Sequence, residues 1–311
     1  MIKRFKTFFK YYSRNKIAVF ALGILILIIL AAIFADFIAP YDYTEQFPKD
    51  NFLRPSSEHL MGTDNFGRDI FSRVLKGGQI SLRIGFSSVI ISTFIGVIIG
   101  AFAGYYEGVF DAIIMRVMDT ILSIPQLVLA IALAAALGGG MRNLILAVSL
   151  SSIPSYARIV RSQVMAVKNL EYIESARLAG VKTFKLIFAE ILPNCFAPII
   201  VQATIGVGTA ILSAASLSFI GMGIMPPEAE WGQMLSEGRA YIRNYPHITL
   251  FPGMAIALTI LVLNIVGDAL RDAFDIEIRC ISHFPKDAKH PARSFEGLGA
   301  FSKAPKVLSK Q

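Results

Sequence analysis

The sequence predicts an all-α polytopic membrane protein with six transmembrane helices. Three observations carry that prediction. Of the 311 residues, 54% are hydrophobic and only 17% charged, where a soluble domain carries about 25% charged residues. Apolar runs of roughly 20 residues, the length a helix needs to span a bilayer, recur along the chain. The charged residues gather between those runs. A net charge of +8 then reads as basic loops on one face of a membrane, and no nucleic-acid partner is expected. Cys195 and Cys280 are too far apart in sequence to suggest a disulfide framework or a metal site.

Residues 1–16 hold six basic residues, Lys3, Arg4, Lys6, Lys10, Arg14 and Lys16, and no acidic one. They place the N-terminus in the cytoplasm. The first span, 17–38, is longer than a signal-peptide core and reads as an uncleaved anchor. A polar segment follows to about Gly78, with six acidic and five basic residues, and is expected outside. The second span is drawn at 82–105. Its Gly96, Gly100 and Gly104 form one smooth face for close helix packing. A short connection follows to Arg116. The third span, 117–137, contains Pro125 and stops at Gly138-Gly139-Gly140. The fourth, 144–161, is interrupted by Ser151, Ser152 and Pro154, which suits a helix inside the bundle.

A charged stretch, 171–194, comes next and is expected in the cytoplasm. On a helix, Ile173, Ala176 and Arg177 share one face, and Tyr172, Ser175 and Ala179 another. Glu174 offers a hydrogen-bond acceptor, and Gly180 lets the chain turn. Two readings stay open on these residues alone: a docking element for a soluble partner, or an interfacial helix that ends the fourth span. The fifth span is drawn at 198–220. The outer loop after it carries Trp231, the only tryptophan, at a position suited to an interfacial anchor. The sixth span, 248–266, returns the C-terminus to the cytoplasm. The chain thus divides into a basic N-terminus 1–16, a first helix with its outer loop 17–78, a five-helix core 79–279 containing the loop 168–194, and a polar tail 280–311 expected to be disordered.

No catalytic site emerges, so the chain is expected not to be an enzyme. His59, His247, His283 and His290 lack metal-ligand spacing. Gly180-Val181-Lys182-Thr183 imitates the end of a phosphate loop, without the earlier glycine or the strand. Any nucleotide energy must then come from another chain. Ionisable residues in the spans read as few, Asp36 and Asp119 near span ends, which argues against an ion-coupled carrier and a charged filter.

The charged stretch resembles the "EAA" loop of binding-protein-dependent ABC importer permeases. Glu174, Ala176, Gly180, Leu192 and Pro193 fall on that pattern. Ser175 replaces its first alanine, and its isoleucine is displaced by one to Ile191. Glu171 opens the same helix. Residues 59–73 resemble the outer-loop signature of peptide-transport permeases of the C type, through His59, Gly62, Thr63, Asp64, Gly67, Arg68, Asp69 and Arg73. Residues 217–235 and 267–275 resemble the same family. Gly62, Asp64 and Gly67 also read as turn formers, and Arg68 and Asp69 as a solvated pair.

The resemblance implies a type I ABC importer (MetI-like) fold and one cytoplasmic coupling helix. It implies a multi-pass subunit of a bacterial or archaeal cytoplasmic membrane, among lipid, that forms half of a path for di- or oligopeptides. It implies four partners: a second homologous permease, two cytoplasmic ATPase subunits and an extracytoplasmic solute-binding protein. ATP and Mg would sit on the ATPases, with no cofactor on this chain. Nickel or glutathione are the alternative substrates within that architecture. A self-sufficient channel or secondary carrier is the alternative of another class.

Overall fold

A computed structural model describes residues 12–13 and 15–282, with side chains to residue 274. The basic residues before Tyr12, Arg14 and the tail beyond residue 282 lie outside the described residues, so the expectations for 1–11 and 283–311 do too. Among the described residues the fold is helical, with a single isolated bridge between Thr63 and Asp69.

Helix α1, Lys16–Ile33, begins where the Asn15 side chain accepts from the amides of Ile17 and Ala18, satisfying donors a helix start leaves orphaned. A short turn, α2, Ala35–Ile38, follows. Helix α3 runs from Ile70 to Tyr106, which at 1.5 Å per residue is about 55 Å, well beyond a bilayer core. It begins about a dozen residues before the span drawn from hydropathy. Its first turns mix Ser72, Arg73, Lys76 and Gln79 with apolar residues, and the Asp69 carboxylate caps it through the amide and hydroxyl of Ser72, at 2.8 and 2.7 Å. The largest interface in the bundle joins α3 to α6, Met141–Val167. The glycine face makes this seam. A Cβ on Gly96 would lie 2.5 Å from Cβ of Tyr156, one on Gly104 2.7 Å from the Arg161 carbonyl, and one on Gly100 would strike the Ala157 carbonyl.

The third span is broken. Helix α4, Gly108–Leu122, and helix α5, Gln126–Leu137, meet at 87° across Ser123-Ile124-Pro125. Proline has no amide to donate and disfavours helix in the residue before it. The short connection expected to Arg116 is mostly helical, as the first part of α4. By contrast α6 runs through Pro154 unbroken. Helix α7, Glu171–Leu178, comes next. Helix α8 spans Thr183 to Phe219 and passes through a π turn, Leu186–Ile191. The membrane-length helix thus begins at Thr183, ahead of the span drawn at 198–220. Helix α9, Trp231–Gly238, and helix α10, His247–Ser282, complete the chain. Among the described residues, five helices are long and apolar enough to cross a membrane, and the bent pair, taken as one span, brings the number to six.

The chain order sorts the connections to two ends. Residues 39–69, the turn 138–140 and residues 220–246 share the end where α3 starts. The α3–α4 turn and α7 share the other. The start of α1 lies there as well, packed on Ala269 and Ala273 of α10 through Tyr12 and Ala18.

Candidate functional site

The α7 end is built on a small core of its own. Ile173 is fully buried, among Ala101, Val160, Val164, Leu186, Ile187 and Ile191. One helix face is thus pinned to α3, α6 and α8, and the rest is free. Glu171, Glu174, Ser175 and Gly180 are exposed, Ala176 is half-buried, and Leu178 is 85% exposed. The carboxylates of Glu171 and Glu174 have no ionic or hydrogen-bond partner among the described residues. Both lie in the first turn and Arg177 in the last, the polarity a helix dipole favours. The Arg177 guanidinium stands 5.6 Å from the Tyr105 ring centroid, and the Ser175 hydroxyl donates back to the Glu171 carbonyl at 2.9 Å.

Gly180 ends α7 in a glycine stop. The Val181 amide donates to the Ala176 carbonyl at 3.2 Å and the Gly180 amide to the Arg177 carbonyl at 3.0 Å, with Gly180 at φ +79°. The two bonds and the left-handed glycine satisfy carbonyls the helix end leaves open. Ala176 and Val181 pack on the same small core. Leu192 is buried in it, whereas Pro193 is exposed nearby in the third turn of α8. The π turn faces Ile191 into the core and leaves Glu190 half-buried, so the displaced isoleucine fills the packing position. At the far side of the element, Lys168 Nζ holds the Tyr105 carbonyl at 3.2 Å and the Glu107 carboxylate at 2.7 Å.

Two acid–arginine pairs stand between α4 and α6: Asp111 with Arg161, whose Nε donates at 2.5 Å, and Asp119 with Arg158. Both arginines stand on the membrane-length α6, which runs six residues past the drawn span end at 161. The spans therefore hold more charge than Asp36 and Asp119, and Arg83 in α3 adds to it. The spacing carried the signal: Arg158 and Arg161 share a helix face, as do Asp111 and Asp119.

The residues of the 59–73 motif form a buried knot at the opposite end. His59, Thr63, Asp64, Arg68, Asp69 and Arg73 are all buried. Asp64 accepts from the amides of Phe66 and Arg68 at 2.8 and 3.0 Å, and from Arg68 Nε at 2.6 Å. Arg68 and Arg73 both reach Glu237 of α9, at 2.7 and 3.1 Å. Arg73 Nη1 also donates to the Tyr43 carbonyl at 3.2 Å. Asp69 pairs with His59 Nδ1 at 3.0 Å rather than with Arg68, so the solvated Arg68–Asp69 pair does not exist. Gly62 and Gly67 have φ of +77° and +74°, and a Cβ on either would strike a backbone carbonyl, Leu53 or Phe47. The motif therefore ties residues 39–69 to α9. A partner on this surface would meet the exposed Leu60 and Phe66 instead.

Trp231 is 3% exposed, which excludes the interfacial anchor. Its ring lies against Gly77 and Gly78, and its Nε1 donates to the Val74 carbonyl at 2.9 Å. Beside it the fully buried Glu230 caps α9 through the Gln233 amide at 2.9 Å and accepts from Ser81 at 3.0 Å.

Comparison with known proteins agrees with this architecture. Residues 96–279 match the family described as binding-protein-dependent transport system inner membrane component, and residues 3–55 match the N-terminal TM domain of oligopeptide transport permease C. The chain is 43% identical to the di/tripeptide transport system permease protein DppC of Pseudomonas aeruginosa, over 88% of this chain and 92% of that one. It is 43% identical to the dipeptide transport system permease protein DppC of Alkalihalophilus pseudofirmus, over 87% and 89%. It is 46% identical to the glutathione transport system permease protein GsiD of Escherichia coli, over 88% and 90%. Among solved structures, an inward-facing MetNI methionine ABC transporter chain shares the fold with a TM-score of 0.54 at 17% identity, over 65% of this chain and 96% of that one. The chain belongs to the family of binding-protein-dependent transport system inner membrane components, as a permease of the ABC type.

Proposed function

We propose that this chain is one of two permease subunits of an ATP-driven importer of short peptides, and that α7 is its contact with the ATPases. The observation that carries the reading is the build of α7. It is a short helix with one face locked in a core and an opposite face bearing two unpaired carboxylates and Leu178. Such an element passes a push into α3, α6 and α8, because packed cores shift as units. ATP-driven closure of the ATPases would move α7 and tip the spans between inward- and outward-open states. ATP must then favour one state through different contacts in each. In this reading the chain hydrolyses nothing and its partners hold ATP and Mg.

The α7 end lies in the cytoplasm and the knot end faces the solute-binding protein. The division into 1–16, 17–78, 79–279 and 280–311 follows from that sidedness. The relatives named for dipeptide, di/tripeptide and glutathione transport support a substrate of two or three residues. The glutathione relative favours a tripeptide over nickel as the second reading. Reconstitution tests the class. Proteoliposomes holding both permeases and the ATPases should take up labelled dipeptide only with ATP and binding protein. Uptake by this chain alone, without ATPases, would make it a channel or carrier and sink the proposal.

A further inference from the structure

Arg83 is the charge that the docking reading leaves unused. It stands on α3 roughly 20 Å along the helix from Ile70, at 1.5 Å per residue. Lys76, Gln79 and Arg83 fall at i, i+3 and i+7, so they form one polar stripe descending from the knot end. The stripe faces a cavity of about 660 Å³ between α3, the turn at Gly139 and Gly140, and residues 224–228. Glu228 and Tyr43 also line it, and Met141, Ile224 and Met225 supply apolar surface. The volume lies in the range of small-molecule sites, about 300–1,000 Å³.

The charges are unevenly spent. Lys76 is paired with Asp36 at 2.7 Å. Arg83 and Glu228 have no ion pair or side-chain hydrogen bond among the described residues. An ionisable group in a membrane-length helix without a partner marks a site for a ligand. Burial, and then the Glu228 carboxylate, push the Tyr43 phenol above its ordinary value, so it stays a hydrogen-bond donor.

We infer that this cavity receives a zwitterionic short peptide, its carboxylate on Arg83 and its ammonium on Glu228. The inference rests on the peptide reading above. A guanidinium fork matches a carboxylate in a way a point charge does not. One fixed cation and one fixed anion offset the desolvation of both peptide ends as it leaves water. A bare metal cation would be repelled by Arg83, and a lone anion would leave Glu228 unmatched. Met141 and Met225 can repack around different side chains, which leaves the side chains of the peptide unselected.

The test uses membrane vesicles from cells expressing the full chain with its transport partners, and a dipeptide bearing a diazirine side chain. Wild-type label should fall within 139–141 or 224–228. Excess alanyl-alanine should displace it, and the N-acetylated, C-amidated form should not. Arg83→Gln and Glu228→Gln should each lower labelling about tenfold, the worth of one charge-assisted contact. Arg83→Lys, which keeps the charge and loses the fork, should label between wild type and Arg83→Gln, at equal chain abundance. Wild-type labelling in both glutamine variants would overturn the site while leaving peptide import standing, provided wild-type vesicles accumulate dipeptide with ATP. Label that alanyl-alanine cannot displace, with a phospholipid lost from purified Arg83→Gln, would make Arg83 a lipid contact and overturn it too. Wild-type vesicles that accumulate no dipeptide would overturn the import reading and this site together.

Discussion

Gly180 has φ +79° and no atom within 4 Å of where a Cβ would stand. A Cβ there meets no clash inside this chain, so its cost is conformational, about 1–2 kcal/mol for the left-handed region. Gly180→Val should therefore loosen α7 alone, and hydrogen exchange should quicken at Glu171–Leu178 with α3 unchanged. Glu237 is a different kind of residue. It neutralises two buried guanidinium groups, and removing one partner of a buried pair costs about 3–5 kcal/mol. Glu237→Gln should lower the melting temperature of the purified chain more than Glu228→Gln, whose carboxylate is exposed and unpaired. The contrast also shows what was legible. Arg68, Arg73 and Asp64 stand together in one motif, but Glu237 lies more than 160 residues away and nothing in its neighbourhood announces the pairing. Trp231 misled for a related reason: its place beside a span suits an anchor, and only the absence of side chains on Gly77 and Gly78 gives it a buried seat.

Among the elements, α3 and α6 hold the bundle together through Gly96, Gly100 and Gly104. A leucine at Gly100 would drive into the Ala157 carbonyl, and overpacking of this kind costs about 1–3 kcal/mol or more. Gly100→Leu should reduce folded chain in the membrane, measured by size-exclusion profile. Gly23→Leu, where nothing lies within 4 Å, should leave the profile unchanged. The glycine face was readable because four-residue spacing makes a stripe on any helix. The start of α3 was not. Hydropathy sees apolar runs, whereas the helix is extended by the Asp69 cap and by polar residues that pair within the knot. The break at Pro125 and the continuity at Pro154 show the same limit. Both prolines look alike in sequence, yet the helix at Pro154, which packs along α3, stays whole and the one at Pro125 breaks.

At the scale of the whole molecule, six crossings and the two ends follow from the alternation of apolar runs and charged connections, and the family from its motifs. What escaped the sequence was the charge inside the bundle. Arg158 and Arg161 stand at the very end of the span drawn at 144–161, Asp119 at the start of the span drawn at 117–137 and Asp111 in the connection before it, so nothing in the sequence pairs them across two helices. These pairs join the broken span to α6, and α6 leads directly into α7. An importer built this way has a path of packed contacts from α7 into the bundle, and α7 is where the proposed ATPase contact would push. The decisive measurement is co-purification of the ATPase subunits with Glu174→Lys and Gly180→Leu, together with peptide uptake in the same cells. The account predicts both variants inserted at wild-type abundance, with ATPase recovery reduced and uptake lost. Normal ATPase recovery and normal uptake in both would contradict it.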